Sequence, residues 1–108
     1  MLDESDILAA LRDCYDPEVK LNLVDLGLIY RIVIEPDPDS TPAWPRQRVK
    51  VAMTLTTPAC PASGLIVEQV RNRLASLQEI GNVDIELVWE PPWTAHRISE
   101  EGRRQLGI

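Results

Sequence analysis

Cys60 is the residue of this 108-residue chain best placed for chemistry, within Thr57-Pro58-Ala59-Cys60-Pro61 and directly ahead of a segment with helical periodicity. Unpaired backbone N–H groups and the positive end of a helix dipole favour a thiolate over a thiol at such a place. A thiolate there could exchange with a disulfide, attack an electrophile or ligate a soft metal. The residues alone also admit a plainer role, a small filler held between two prolines. Thr56 and Thr57 bring hydroxyls beside Cys60, while Asp16, Glu18 and Asp25 put three carboxylates into the loop that enters the first strand. Carboxylates next to a thiolate would raise its pKa and oppose the helix effect, and Asp16 and Asp25 could equally be turn or cap residues. His96, the one histidine, lies in the C-terminal arm, and nothing in the spacing pairs it with Cys60 as an activating base. With only Cys14 and Cys60, no CxxC pair and one histidine, a closed four-ligand zinc site within a single chain is not expected.

The elements that must position these groups can be read from periodicity. Ile7, Leu8, Leu11, Cys14 and Tyr15 recur at three- and four-residue spacing, which predicts a helix from about Ser5 to Cys14. Asp3 or Ser5 could cap it, and Asp16-Pro17 would end it. Cys14 falls on the apolar face and reads as a buried, inert core thiol. A strand over 28–34 should place Leu28, Tyr30, Ile32 and Ile34 on one face and Ile29, Arg31 and Val33 on the other. Four prolines within residues 35–48 rule out a helix or a paired strand interior there, so this stretch reads as a long Pro-rich hairpin loop. It carries Trp44, expected to fold back on the domain edge or, alternatively, to dock a partner.

A second strand over 49–56 alternates cleanly, and a helix from Ala62 or Ser63 to Leu77 follows, with Ile66, Val70, Leu74 and Leu77 as its core stripe. Gly81-Asn82 would end the connection before a third strand over 83–89, with Val83, Ile85, Leu87 and Trp89 facing the core. Pro91 and Pro92 must carry the chain off the sheet, so residues 90–108 form an arm that closes in a short helix from Ser99 to a left-handed cap at Gly107. The predicted fold is α+β in a single domain over 1–108: helix, strand, strand, helix, strand, then a helical tail. The first two strands form a hairpin and the last two run parallel through a crossover, giving a small mixed sheet with both long helices on one face. The start of strand one and the end of strand two then share one end of the sheet, which would make Asp25 and Cys60 neighbours. On the open face Ile29, Val33, Ala52 and Val88 make a semi-apolar surface that a second subunit or the tail could cover.

Composition narrows the function classes. Residues 1–40 carry ten acids and three bases, net −7, against +1 for the remainder and −6 overall, so the clustered cations that phosphate backbones require are missing and nucleic acid is not an expected partner. No run approaches the ~20 apolar residues of a membrane span, and the acidic start does not read as an export signal, which predicts a cytoplasmic protein. Phenylalanine is absent, so the core must be built from Leu, Ile, Val and Ala.

Four segments taken in order resemble the SufT and PaaD-like family of iron-sulfur cluster assembly proteins. They are Asp16-Pro17-Glu18, the run Asn22 to Tyr30, the run Met53 to Pro61, and Val88-Trp89-Glu90-Pro91-Pro92-Trp93-Thr94. The resemblance implies a fold like the NifU C-terminal domain and an accessory role in maturing iron-sulfur proteins, as a carrier, adaptor or targeting factor and not as an enzyme. It marks Thr56 and Cys60 as the signature site, with Asp16, Glu18, Asp25 and Thr57 at its other polar positions. PaaD relatives typically carry a cysteine-bearing C-terminal extension. The lack of any cysteine after Cys60 therefore favours the stand-alone SufT-like branch. Loop 35–48 is longer than the hairpin usual in the family. On this reading Cys60 would hold iron or a transient cluster bridged between chains, since common clusters use about four cysteine ligands. The remaining ligands would come from a homodimer partner, a small thiol or an apo-client. The competing reading is a metal-free adaptor that docks the assembly machinery or a client through Trp44 and Trp93, including a PaaD-like role in maturing a ring-oxygenating system. A thiol enzyme is a third.

Overall fold

The computed structural model describes residues 1–56 and 63–108. Helix α1 (Glu4–Leu11) leads into strand β1 (Ile29–Pro36), then β2 (Gln47–Met53), helix α2 (Ser63–Ala75), strand β3 (Ile80–Leu87), a single 3-10 turn (Ala95–Arg97) and helix α3 (Glu100–Leu106). The sheet order is β1-β2-β3, with β1 antiparallel and β3 parallel to β2. This is the α+β order expected from the periodicity. No described helix is long and apolar enough to cross a membrane.

Asp3 caps α1 with a reciprocal box, accepting from Asp6 N while Asp6 accepts from Asp3 N. The helix stops at Leu11, earlier than Asp16-Pro17 would have ended it. Cys14 and Tyr15 are drawn out of it by other partners, as Leu23 N donates to Cys14 O, Tyr15 bridges Asn22, and the Gln69 side chain bonds both backbone groups of Tyr15. Cys14 still reaches the core, where it is 2% exposed, and burial pushes its thiol pKa up. Ile7, Leu11, Ile66, Val70, Leu74, Val49, Val51 and Met53 join α1, α2 and the sheet in one buried cluster.

Four strand expectations are corrected. A bulge at Tyr30 puts both Ile29 and Arg31 opposite consecutive residues Met53 and Ala52, so Ile29 turns to the core while Tyr30 leaves it. β1 and β2 run on through Pro36 and Gln47, which leaves residues 37–46 as the loop; an edge strand tolerates a proline at its end. β3 starts at Ile80, so Gly81 and Asn82 lie inside the strand. A Cβ on Gly81 would collide with the Asp37 carboxylate and crowd the Arg46 side chain. That glycine marks a close approach of the loop, not a stop. Leu87 and Trp89, expected in the core, are 37% and 40% exposed, at and beyond the end of the edge strand β3.

The open sheet face keeps Val33 and Ala52 among charged residues. Arg48 pairs with Asp84 and Lys50 with Glu35, and Ile29 has moved to the other side. Such exposed pairs add little stability each, but they leave the face content with water.

The C-terminal arm folds back on the loop ahead of β1. Ser99 caps α3 by accepting from Gly102 N, and Gly107 closes it in the left-handed conformation, as expected. Gly27 has φ +79°, and a Cβ there would overlap the backbone oxygen and Cβ of Arg97. Substituting Gly27→Ala is expected to cost about 1–3 kcal/mol from backbone strain and a displaced arm, read as a lower urea midpoint at unchanged denaturant slope.

Candidate functional site

The loop from Asn22 to Leu28 sits between the arm and the end of the sheet. Asn22 Oδ1 accepts from Asp25 N at 2.9 Å, and Leu26 N closes the turn on Asn22 O. The Asp25 carboxylate is buried and takes hydrogen bonds from Asn22 Nδ2 at 2.6 Å and Ser99 Oγ at 2.7 Å. Its backbone oxygen accepts from Ser99 N at 2.7 Å. Desolvation alone would raise the Asp25 pKa. The Asn22 hydrogen bond outweighs it, helped by Ser99 and the Arg12 charge, so the carboxyl is held below its ordinary value.

Asp16 is likewise buried and committed, its Oδ1 accepting from Glu18 N at 2.8 Å and Val19 N at 3.2 Å. Glu18 is exposed, and Thr56 is partly exposed just beyond β2. Cys60 and Thr57 lie outside the described residues, as does the expected proximity of Asp25 to Cys60. The two chain segments nevertheless converge on one end of the sheet: Thr54 N donates to Leu28 O, and Ile29 pairs with Met53. Asp16 makes the backbone contacts of a turn residue, whereas the Asp25 carboxylate bonds two side chains, Asn22 and Ser99. Thr54, passed over in favour of Thr56 and Thr57, is 1% exposed and its hydroxyl has no partner among the described residues.

Trp93, expected at a partner surface, is partly buried against the core, and its Nε1 donates to Leu26 O at 2.7 Å. It anchors the arm. Trp44 is 58% exposed, with only its backbone N held by Thr41. The part played by Ser99 was hidden because a serine ahead of two glutamates already reads as a helix cap. Nothing in local sequence reports that its hydroxyl also reaches Asp25.

Residues 4–87 match the family model described as iron-sulfur cluster assembly protein. The chain belongs to that family. It is 41% identical over 105 residues to a Porphyromonas gingivalis protein named as an Fe-S protein maturation auxiliary factor, covering 97% of this chain and 91% of the relative. It is 34% identical over 93 residues to the Fe-S protein maturation auxiliary factor SufT of Staphylococcus aureus, covering 86% of this chain and 96% of the relative. An iron-sulfur cluster carrier protein of Synechocystis is 30% identical over 92 residues; these are 85% of this chain but 23% of the relative. A Bacillus anthracis domain of unknown function superposes with TM-score 0.82 at 31% identity, covering 97% of this chain and 92% of that one. The SufT-like resemblance read from the motifs therefore holds over nearly the whole chain.

The depressed Asp25 pKa gives a pH signature. A carboxylate whose folded pKa lies below its unfolded value contributes stability that is complete above the unfolded pKa of about 3.9, and loses it as pH falls through the folded pKa. Asp25→Asn should lower stability at neutral pH by about 1–3 kcal/mol and flatten the acid limb of a stability-against-pH curve measured by denaturant titration. An unchanged acid limb would remove Asp25 from that linkage.

Proposed function

We propose that this protein is an accessory factor in iron-sulfur protein maturation that handles iron or a transient cluster through Cys60. The observation that carries the reading is the placing of the other thiol. Cys14 is sealed in the core with a raised pKa, so Cys60 is the one thiol of the chain left for a metal or a partner. Family membership over residues 4–87 and relatives named as maturation auxiliary factors support the role. One thiolate supplies one of the about four ligands that common clusters use, so on this reading the iron is cargo whose other ligands come from outside the chain. A lone thiolate binds weakly enough to hand its cargo on.

The Synechocystis carrier contains a stretch like this one within a protein about four times as long. That architecture supports a second chain of carrier type as the partner that gives or receives the cluster. An adaptor that works without metal is the alternative reading, and exposed Trp44 favours it.

Anaerobic reconstitution with iron and sulfide should leave the wild type with visible absorption and bound iron that Cys60→Ser lacks. Equal iron retention by the two would sink ligation by Cys60. On the adaptor reading Trp44→Ala loses partner pull-down while Cys60→Ser keeps it; on the carrier reading Trp44→Ala keeps its iron.

A further inference from the structure

Arg46 and Arg71 line one hollow at the edge of the sheet, with Ala75 of α2 and with Gly81, Asn82 and Val83 of β3. Its volume is about 330 Å³, and no acid among the described residues lines it. In a chain with 17 acids and 11 bases, neither arginine has an ion-pair partner among the described residues. The acids of the neighbouring segments are engaged elsewhere: Asp37 Oδ1 accepts from Asp39 N at 3.1 Å, and Asp84 pairs with Arg48 at 2.7 Å. Arg46 Nε is shut away from water and has no acceptor among the described residues. A buried donor without a partner costs about 1–3 kcal/mol, and more when it is charged, so it marks a place where an acceptor belongs. The backbone adds donors to the same hollow. β3 is an edge strand, and its register passes from Ile80 opposite Gln47 to Asn82 opposite Arg48, which makes Gly81 a bulge with no counterpart on β2. An edge and a bulge together leave N–H groups that the ladder does not use. The Arg46 side chain lies against Gly81, where a Cβ would come within 3.1 Å of its Cβ and Cδ, and Arg71 reaches in from α2 with Nη1 3.5 Å from Val83 O.

We propose that this hollow binds a phosphate-class dianion, held by the guanidinium groups of Arg46 and Arg71 and by backbone N–H groups at the Gly81 bulge. Two planar forks match a dianion in charge and in number of acceptors, whereas a monoanion would leave one cation unpaired. Backbone N–H groups freed at a turn or sheet edge are the other donors that such ions use. The volume is at the small end for ligand sites and suits a free phosphate or the phosphoryl end of a monoester. The −6 chain repels anions at long range, so only concentrated local donors can hold one. Arg46 precedes β2 and Thr54 follows it, so the hollow lies at the far end of the sheet from Asp25 and stands apart from the role proposed for Cys60.

The test is an NMR titration of the full chain with inorganic phosphate, O-phosphoserine and acetate, at constant ionic strength and about pH 8, where the phosphates are doubly charged. The amides of Gly81, Asn82 and Val83 should shift saturably with phosphate and bind acetate about tenfold more weakly. Arg46→Gln and Arg71→Gln should each weaken phosphate binding about tenfold. Arg31→Gln, which removes an equal charge from the open sheet face, should leave it unchanged. Arg71 is exposed on α2, so Arg71→Gln carries the test even where Arg46→Gln fails to fold. Binding of phosphate and O-phosphoserine alike supports a phosphomonoester as the occupant, and binding of phosphate alone supports the free ion. Shifts that never saturate, an equal response to acetate, phosphate binding undiminished in Arg71→Gln, or the same loss in Arg31→Gln each overturn the proposal.

Discussion

Asp25 ties the loop before the first strand to the far end of the chain. Its carboxylate accepts hydrogen bonds from Asn22 Nδ2 and Ser99 Oγ while its backbone oxygen accepts one from the Ser99 amide, so one residue fixes both a turn and an arm. Burying a charge is unfavourable unless hydrogen bonds replace water, and here they more than replace it, as the lowered pKa requires. A charge-assisted hydrogen bond contributes about 1.5–3 kcal/mol, large against the ~5–15 kcal/mol of a whole domain. Without it the Asn22 turn, the placing of Ser99 and the start of α3 would lose their common support.

Much else at this end of the sheet follows from that tie. Because Ser99 is held against Asp25, the preceding residues must lie along the loop, where Trp93 reaches Leu26 and Arg97 presses on Gly27. Only a glycine admits that approach at φ +79°. The arm in turn sets Arg97 over Tyr30, whose side chain has been released from the core side of β1 by the bulge. The family model spans residues 4–87, so this arm is packed onto a module that ends where β3 ends.

Ion pairs cover the open sheet face, and α1 and α2 cover the other, where Cys14 is shut into the core. At the opposite end of the sheet, residues 37–46 close tightly on Gly81 and present Trp44 to solvent. The acidic first half is thereby only partly a matter of the site. Asp16 and Asp25 are buried and hydrogen-bonded, whereas Glu18 and the acids of the first helical turn are exposed.

Local sequence determined the order of elements, the stop at Gly107, the core stripe of α2 and the core fate of Cys14, and narrowed the first cap to Asp3 or Ser5, because capping chemistry and periodicity act within a few residues. Four motifs in series, from Asp16-Pro17-Glu18 to the run ending at Thr94, also carried the family resemblance, with Cys60 in the third. Tertiary structure alone decided where a long-range partner competes with local preference. Leu23 and Asn22 pull Cys14 and Tyr15 from the helix, Asp37 and Arg46 turn Gly81 from a stop into a contact, and the Tyr30 bulge reverses which side of β1 is wet. The same holds for Asp25 and Trp93, whose residue types suggested a reactive site and a docking surface. Their partners, Ser99 and Leu26, stand 74 and 67 residues away, and no local pattern in a single sequence encodes a hydrogen bond over that separation.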